Sequence, residues 1–379
     1  MAEVFNFGIK PISCHAWNHD RSQIALSPNS NDVLIYKKSG KKWDLIHTLS
    51  EHTLKVTGID WAPKTNRIVT CGADRNAYVW QLSNGEWIQE LVILRINRAA
   101  TCVRWSPQED KFAVGSSSRM ISICYFESDN NWWVSKHIKK PIRSTIVALD
   151  WHPNNVLLAA GCCDYKAYVF SAYIKEINQK PGATVWGKKM TFGILMQEFS
   201  MPCTGWVVGG GGGYIGIVHG VSFSNSGDCL AMVSHGSVVS VAKGGGELTS
   251  LRTEFLPFND CIWFGETSVI AAGHDCNPML FTAEGDCTKL KFSSKLDQTS
   301  KNAGGGKAVS AMNMFKMMDK KGAVETTSTE LDTKHKNAII QVSGALVGAN
   351  QFSTCGKDGN IVVWDTKSLE AAIAGLRIA

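Results

Sequence analysis

Short runs of alternating apolar and polar residues recur along the chain, closed by aromatic residues and separated by glycine, aspartate, asparagine or serine. A period of two marks strands with one face buried, and the breakers between them mark tight turns. The stretch from His52 shows the pattern in full: Val56-Thr-Gly-Ile-Asp-Trp61, Ile68-Val-Thr-Cys-Gly-Ala-Asp74, Ala77-Tyr-Val-Trp80, then Trp87-Ile-Gln-Glu-Leu-Val-Ile93. It predicts four short strands joined by hairpin turns.

The unit recurs on a ruler. Trp17, Trp61, Trp105 and Trp151 are spaced by 44, 44 and 46 residues, and Tyr36, Trp80, Tyr125 and Phe170 by 44, 45 and 45. A period in the low to mid forties with two aromatic marks suits a repeated unit of several strands. Seven units are counted, over residues about 8–50, 51–96, 97–140, 141–180, 214–254, 255–292 and 337–367. Units of this kind share one core by stacking on their neighbours, so a single domain over 1–379 is expected. The alternating Val4-Phe5-Asn6-Phe7 is expected to supply the outer strand of the seventh unit and so hide an otherwise open edge.

An aspartate stands six residues before the closing aromatic as Asp74 before Trp80, Asp164 before Phe170, Asp275 before Phe281 and Asp358 before Trp364. With the dipeptide Trp364-Asp365 this resembles the WD40 family, and the resemblance implies an all-β, seven-bladed WD40 β-propeller. In that family the turn Asp, a His at the start of the unit, a Ser or Thr on the second strand and the Trp form a buried relay. The resemblance implies that role for His52, Thr70, Asp74 and Trp80, with Asp164, Asp275, Asp358 and Trp364 as its counterparts elsewhere. Ser30, Arg119 and His235 stand where the turn Asp would be, so those blades are expected to rely on packing.

The ruler breaks twice. Between Phe170 and Tyr214 lie Lys180-Pro-Gly and five glycines, Gly209 to Gly213, expected to form a flexible linker. Gly211-Gly-Gly213-Tyr-Ile-Gly216 matches a phosphate-binding pattern in form alone, because a strand rather than a helix is predicted after it. The second break, residues about 293–336, is an insert between blades six and seven. Within it Lys307 to Lys321 predicts a short amphipathic helix over about 307–319, with Ala308, Ala311, Met312, Phe315 and Met318 on one face. Held on loops outside a closed ring, that face suits a partner's groove; the competing reading has the segment fold back on blade six or seven, or stay without order.

Composition narrows the class. Of 379 residues 44% are hydrophobic and 19% charged, with 35 glycines and 13 tryptophans, which fits many strands and turns rather than disorder or a coiled coil. No apolar run is long enough to span a bilayer, and the N-terminus lacks a signal-peptide pattern, so a soluble, cytoplasmic protein without a membrane partner is expected. The 12 cysteines contain no Cys-x-x-Cys and sit largely in apparent strands, Cys102, Cys124, Cys162 and Cys229 among them, as buried thiols do. A net charge of +6 does not announce nucleic acid.

No nucleophile elbow, P-loop, His-Glu-x-x-His or calcium loop occurs, so neither catalysis nor a cofactor is expected. His15 and His19 are four apart, but in a strand and turn that spacing does not converge on a metal. Two basic clusters remain: Lys37, Lys38, Lys41 and Lys42 in a hairpin, and Lys136, Lys139, Lys140 and Arg143 between blades three and four. They are either ordinary solvated turns or, on one rim, a receptor for an acidic peptide.

Wording outside the propeller's own needs narrows the family further. Cys14-His-Ala-Trp-Asn, Asp74-Arg-Asn-Ala-Tyr-Val-Trp80, Asn97-Arg-Ala-Ala, Asn130-Asn-Trp-Trp-Val-Ser-Lys136 and Asp150-Trp-His-Pro-Asn-Asn-Val-Leu-Leu-Ala159 resemble the propeller-subunit family of the actin-related protein 2/3 complex. Gly356-Lys-Asp-Gly-Asn-Ile-Val-Val-Trp-Asp365 does so too. The glycine run, Phe223 in place of a Trp and the methionine-rich insert depart from the family's usual wording. The resemblance implies a non-catalytic scaffold of the actin cytoskeleton. Its partners would be two actin-related subunits, small helical subunits, the actin filament and WASP-type activators. It also implies that Met312, Phe315 and Met318 face the filament or a partner, while Lys136, Lys139, Lys140 and Arg143 are assigned to the activators' acidic tail from charge. Two other classes stay open at this point, a substrate receptor of a ubiquitin ligase and a propeller enzyme with titratable groups at its channel.

Overall fold

Each four-strand pattern closes into one antiparallel sheet. The computed structural model describes residues 2–40, 42–202, 216–297, 331–344 and 351–365, and within them seven four-stranded sheets form the blades of a propeller. The innermost strands are Cys14–Trp17, Val56–Trp61, Ala100–Trp105, Ile146–Trp151, Val218–Phe223, Phe258–Phe264 and Ile339–Ser343. Second strands such as Ile68–Gly72 and Leu157–Cys162 are buried along their whole length, because neighbouring blades cover both faces.

An innermost strand is the edge of its sheet, so its outward N–H groups need partners that the sheet does not supply. Side chains of the preceding blade provide them. The Trp105 amide donates to Asp60 at 2.6 Å, Phe223 to Asp150 at 2.7 Å, Trp263 to Ser222 at 3.1 Å, Val342 to Asp260 at 2.9 Å and His15 to Gln341 at 2.8 Å. These bonds run around the ring and stitch blade to blade.

The tryptophans of the ruler end the inner strands, and three of them pack edge-on against a second tryptophan in the outer strand of their own blade. Ring centroids lie 5.7 Å apart for Trp17 and Trp43, 5.7 Å for Trp61 and Trp87, and 5.9 Å for Trp105 and Trp133. Such contacts combine a large buried area with favourable quadrupole geometry.

The ring closes through the N-terminus. Strand Ala2–Asn6 pairs antiparallel with Asn360–Asp365, from Ala2 opposite Trp364 to Asn6 opposite Asn360. The chain then passes over Gly359, whose φ of 81° favours glycine and where a Cβ would collide with the Ile9 carbonyl.

Two expected boundaries are corrected. Blade four does not end near residue 180: its outer strand is Leu195–Ser200, paired with Lys166–Ser171. The chain between them is a structured wedge rather than linker. Trp186 and Met190 are buried in one cluster with Phe199, Phe223 and Leu230, and the Trp186 indole donates to the Gly227 carbonyl at 2.8 Å. Phe223, smaller than the Trp of other blades, leaves the room that Trp186 fills, with ring centroids 5.6 Å apart. The wedge is also tied to blade three: the buried Lys111 ammonium donates to Asn178 at 2.9 Å and Asp110 at 3.2 Å, and desolvation pulls its pKa down to about 8. The glycines from Gly209 to Gly213 lie outside the described residues.

Blade six ends with Lys289–Lys295, which runs into the expected insert. On its far side Asp297 accepts from the Lys334 amide at 2.5 Å and also pairs with the Lys334 ammonium, and His335 belongs to blade seven. The expected helix over about 307–319, with Ala308, Ala311, Met312, Phe315 and Met318, lies outside the described residues.

Candidate interaction surfaces

In blade two the four relay positions come together. The Trp80 indole donates to the Thr70 hydroxyl at 3.0 Å, Thr70 lies 2.9 Å from His52 Nε2, and His52 Nδ1 lies 2.9 Å from Asp74. A neutral ring with its proton on Nδ1 satisfies the whole line of donors and acceptors. Blade seven repeats it with Trp364, Thr354, His335 and Asp358 at 2.9, 2.8 and 3.1 Å. His335 and Thr354 were not singled out from the sequence, although His335 precedes Asp358 by 23 residues much as His52 precedes Asp74 by 22. Burial lowers the His52 pKa against the opposing pull of Asp74. At Asp358 burial favours the neutral acid, but bonds from His335 and the Lys336 and Asn360 amides hold the carboxyl below its ordinary value.

Asp164 and Asp275 are not gathered into such a relay. Asp275 accepts from the Leu256 amide at 2.7 Å, and Asp164 Oδ1 is buried with, among the described residues, no hydrogen-bond partner. Arg119 is exposed in a left-handed turn, and His235 Nδ1 lies 3.1 Å from His219 Nε2. His15 is fully committed to the framework, 3.0 Å from Gln341 and 2.8 Å from Ser353, and burial drives it down to about 3; His19 is exposed.

The channel contains a cavity of about 280 Å³ whose lining includes Arg104, Asp150 and Asp260. Burial works against the Arg104 guanidinium, yet Asp60, Asp260 and Asp150 outweigh it and hold its pKa up, while burial pushes Asp150 and Asp260 up to about 6. These are the titratable channel groups that a propeller enzyme would need, but they are spent on the framework. Asp60 accepts from the Trp61 and Trp105 amides and Asp260 from the Cys261 and Val342 amides, so both oxygens of each are occupied.

One mouth of the channel is basic. Lys10, Lys55 and Lys357 line an opening of about 680 Å³ with His274. The loops that lead into the inner strands lie on this face, including the one carrying Lys139, Lys140 and Arg143, all exposed and, among the described residues, without an ion-pair partner. Lys136 does not join them: it sits within the strand Trp132–Ile138, bonded to Glu176 at 3.1 Å and lying over the Tyr125 ring. Lys38 reaches Glu3 at 3.9 Å on a hairpin of blade one.

Large apolar side chains are exposed elsewhere on the rim. On the outer edge of blades two and three Ile88 is 54% exposed, Leu91 51%, Ile93 61% and Trp132 60%. The two edges are joined by the Trp133 indole donating to Glu90 at 2.8 Å and by Arg95 donating to the Ser135 carbonyl. Strand alternation turns Ile88 and Leu91 to opposite faces of the strand Glu86–Val92, so these are separate exposed apolar positions along the outer edges.

Residues 43–81 and 126–171 match the family model described as WD domain, G-beta repeat, which with the seven blades makes this a WD40-repeat propeller. Full-length relatives narrow the class. The chain is 56% identical over 380 residues to Actin-related protein 2/3 complex subunit 1A-B of Xenopus laevis, covering 99% of both chains. It is 42% identical to Actin-related protein 2/3 complex subunit 1 of Schizosaccharomyces pombe, over 96% of this chain and 99% of the relative. It is 38% identical to subunit 1B of Arabidopsis thaliana, over 98% of each. The chain belongs to the actin-related protein 2/3 complex subunit 1 family.

Proposed function

We propose that the chain is the non-catalytic propeller subunit of an actin-nucleating assembly, holding actin-related and small helical subunits in register within the cytoplasmic actin cytoskeleton. The observation that carries this reading is the 56% identity across 99% of both chains to a protein named as a subunit of that complex. The exposed apolar side chains of Ile88, Leu91, Ile93 and Trp132 on the outer edges of blades two and three support it, since a scaffold offers apolar area to its neighbours. The tagged full chain should co-purify with two actin-like proteins and several small subunits; recovery of ubiquitin-ligase adaptors alone overturns the reading.

Two finer contacts belong to the same proposal. Ala308, Ala311, Met312, Phe315 and Met318 form the filament- or partner-facing side of the insert, supported by the helical spacing of apolar residues in a segment added to the repeat. Met312→Asp combined with Phe315→Asp should abolish co-sedimentation of the assembled complex with filaments and leave the melting point unchanged; a fall in melting point means the segment docks on the blades instead. Lys139, Lys140 and Arg143 receive the acidic tail of an activator of the WASP type, supported by their exposure and lack of ion pairs on the basic face. Lys136 is a poorer member of that set because Glu176 engages it.

A further inference from the structure

The cleft between blades five and six brings two thiols into contact. Cys229 begins the strand Cys229–Ser234 of blade five, and Cys287 lies in the hairpin joining Met279–Glu284 to Lys289–Lys295 in blade six. They are 58 residues apart in the chain, yet the Cys287 thiol donates to the Cys229 sulfur at 2.6 Å. The hairpin takes Gly285, Asp286 and Cys287 through left-handed conformations, with φ of 57°, 55° and 69°, and so presents Cys287 to the neighbouring blade. An open cleft of about 830 Å³, lined by Lys243, Glu266 and Asp286 among others, leads to both sulfurs. Cys229 is half-buried and Cys287 is 5% exposed.

The two thiols are also chemically unequal. The hydrogen bond from Cys287 holds the Cys229 thiol below its ordinary pKa, with the Lys243 ammonium helping, while the same bond and burial push Cys287 up. Core thiols are pushed up as well, Cys14 and Cys102 to about 11, and stay unreactive. Cys229 is therefore reached from the cleft, has the lower pKa of the two and touches its partner sulfur.

We propose that Cys229 and Cys287 form an oxidation site, a dithiol that hydrogen peroxide converts to a disulfide bolting blade five to blade six. The Cys229 thiolate attacks a peroxide oxygen, the O–O bond breaks and water leaves, giving a sulfenic acid on Cys229. The Cys287 sulfur then attacks the Cys229 sulfur, the S–S bond forms, the S–O bond breaks and a second water leaves. The two thiols give up two electrons and two protons in all, and peroxide is reduced to two waters. Thiol reductants reverse the step.

The test is made on the full chain, reduced, freed of reductant and treated with hydrogen peroxide. Tryptic peptides containing Cys229 and Cys287 should appear joined under non-reducing conditions and separate with dithiothreitol, and the melting temperature should rise on oxidation and return on reduction. In Cys287→Ser, which leaves the sulfenic acid without its resolving thiol, dimedone labelling of Cys229 should rise at least tenfold over the unchanged chain. Recovery of both thiols free after peroxide, or of Cys229 as sulfinic acid without the joined peptide, overturns the proposal. The peptide map uses the unaltered sequence, so it decides even if the variant fails to fold.

Discussion

In blades two and seven a histidine, a threonine and a tryptophan stand around the turn aspartate; in blade four the same positions hold Ile142, Ala160 and Phe170, and in blade six Glu254, Ala271 and Phe281. The tryptophan N–H and the threonine hydroxyl are kept or lost together. A lone buried indole N–H or imidazole nitrogen costs about 1–3 kcal/mol, whereas exchanging the whole polar set for apolar groups of similar shape is close to neutral. Ile142, Ala160, Cys162 and Phe170 accordingly pack in one apolar cluster. The small residue follows the histidine in blades two, seven and four, whereas blade six keeps Gly273 because a Cβ there would meet the Pro257 carbonyl. A Cβ at Gly72 would lie 2.7 Å from His52 Nδ1 and one at Gly356 would lie 2.8 Å from His335 Nδ1, while blade four, with no histidine there, carries Cys162.

The largest effect that separates the two kinds of blade comes from removing the aspartate. Asp358→Ala leaves His335 and the Lys336 and Asn360 amides without their acceptor, and should cost about 3 kcal/mol or more, since each donor left unpaired costs about 1–3 kcal/mol. Asp164→Ala removes a carboxylate with one buried oxygen that is unpaired among the described residues, and should cost about 1 kcal/mol or less. Urea unfolding followed by intrinsic fluorescence measures both; equal losses would mean that the aspartate acts alone and the relay adds nothing.

Acid should act on the relay blades at a milder level. Burial places the folded His52 pKa below its ordinary value, so below about pH 6.5 the unfolded chain takes up this proton first and stability falls with falling pH. His15, held at about 3, and His219, held at about 4, add in the same direction and over the same window. The Asp358 contribution is present above the ordinary carboxylate range and is lost only as pH falls through its lowered value. The melting temperature should therefore decline from about pH 7 to pH 5, against the opposing proton uptake of Asp150 and Asp260 in the folded chain, and more steeply in the unchanged chain than in His52→Asn. Identical slopes would assign the acid sensitivity to the other histidines lowered by burial, His15, His137, His152 and His219.

The regular part of the fold was legible because most blades carry an aromatic near the end of the inner strand and another within the third, as Trp61 and Trp80 do; the third strand of blade five, Val238–Lys243, and the inner strand of blade seven, Ile339–Ser343, carry none. Residues whose role depends on neighbours were less visible. Trp43, Trp87 and Trp133 fill the space beside the first ruler and keep its spacing, at 44 and 46 residues, but nothing in that spacing says which strand they pack against. Leu195–Ser200 escaped notice because the wedge displaces it from the place where the ruler expects an outer strand. The basic mouth is harder still, since Lys10, Lys55 and Lys357 are far apart in the chain and meet only when the ring closes. Lys136 shows the reverse: it is close in sequence to Lys139 and Lys140, yet its place within a strand turns it towards Glu176.

The smallest effect tests the comparison most directly, by rewriting blade two in the wording of blade four. Thr70→Ala alone strands the Trp80 indole and His52 Nε2, both of which bond to that hydroxyl. Trp80→Phe alone removes the donor, leaves the hydroxyl to His52 and opens some space. In the double variant the lost volume is still paid for, but no indole N–H is left waiting. The two single costs should therefore exceed the double by about 1 kcal/mol in a double-mutant cycle, within the range for residues sharing a hydrogen-bond network. Cavity terms appear in both arms that contain Trp80→Phe and largely cancel, so the coupling isolates the bond between Trp80 and Thr70. A coupling near zero would show that blades four and six lost their threonine and tryptophan independently, and that shape alone decides which blades keep the relay.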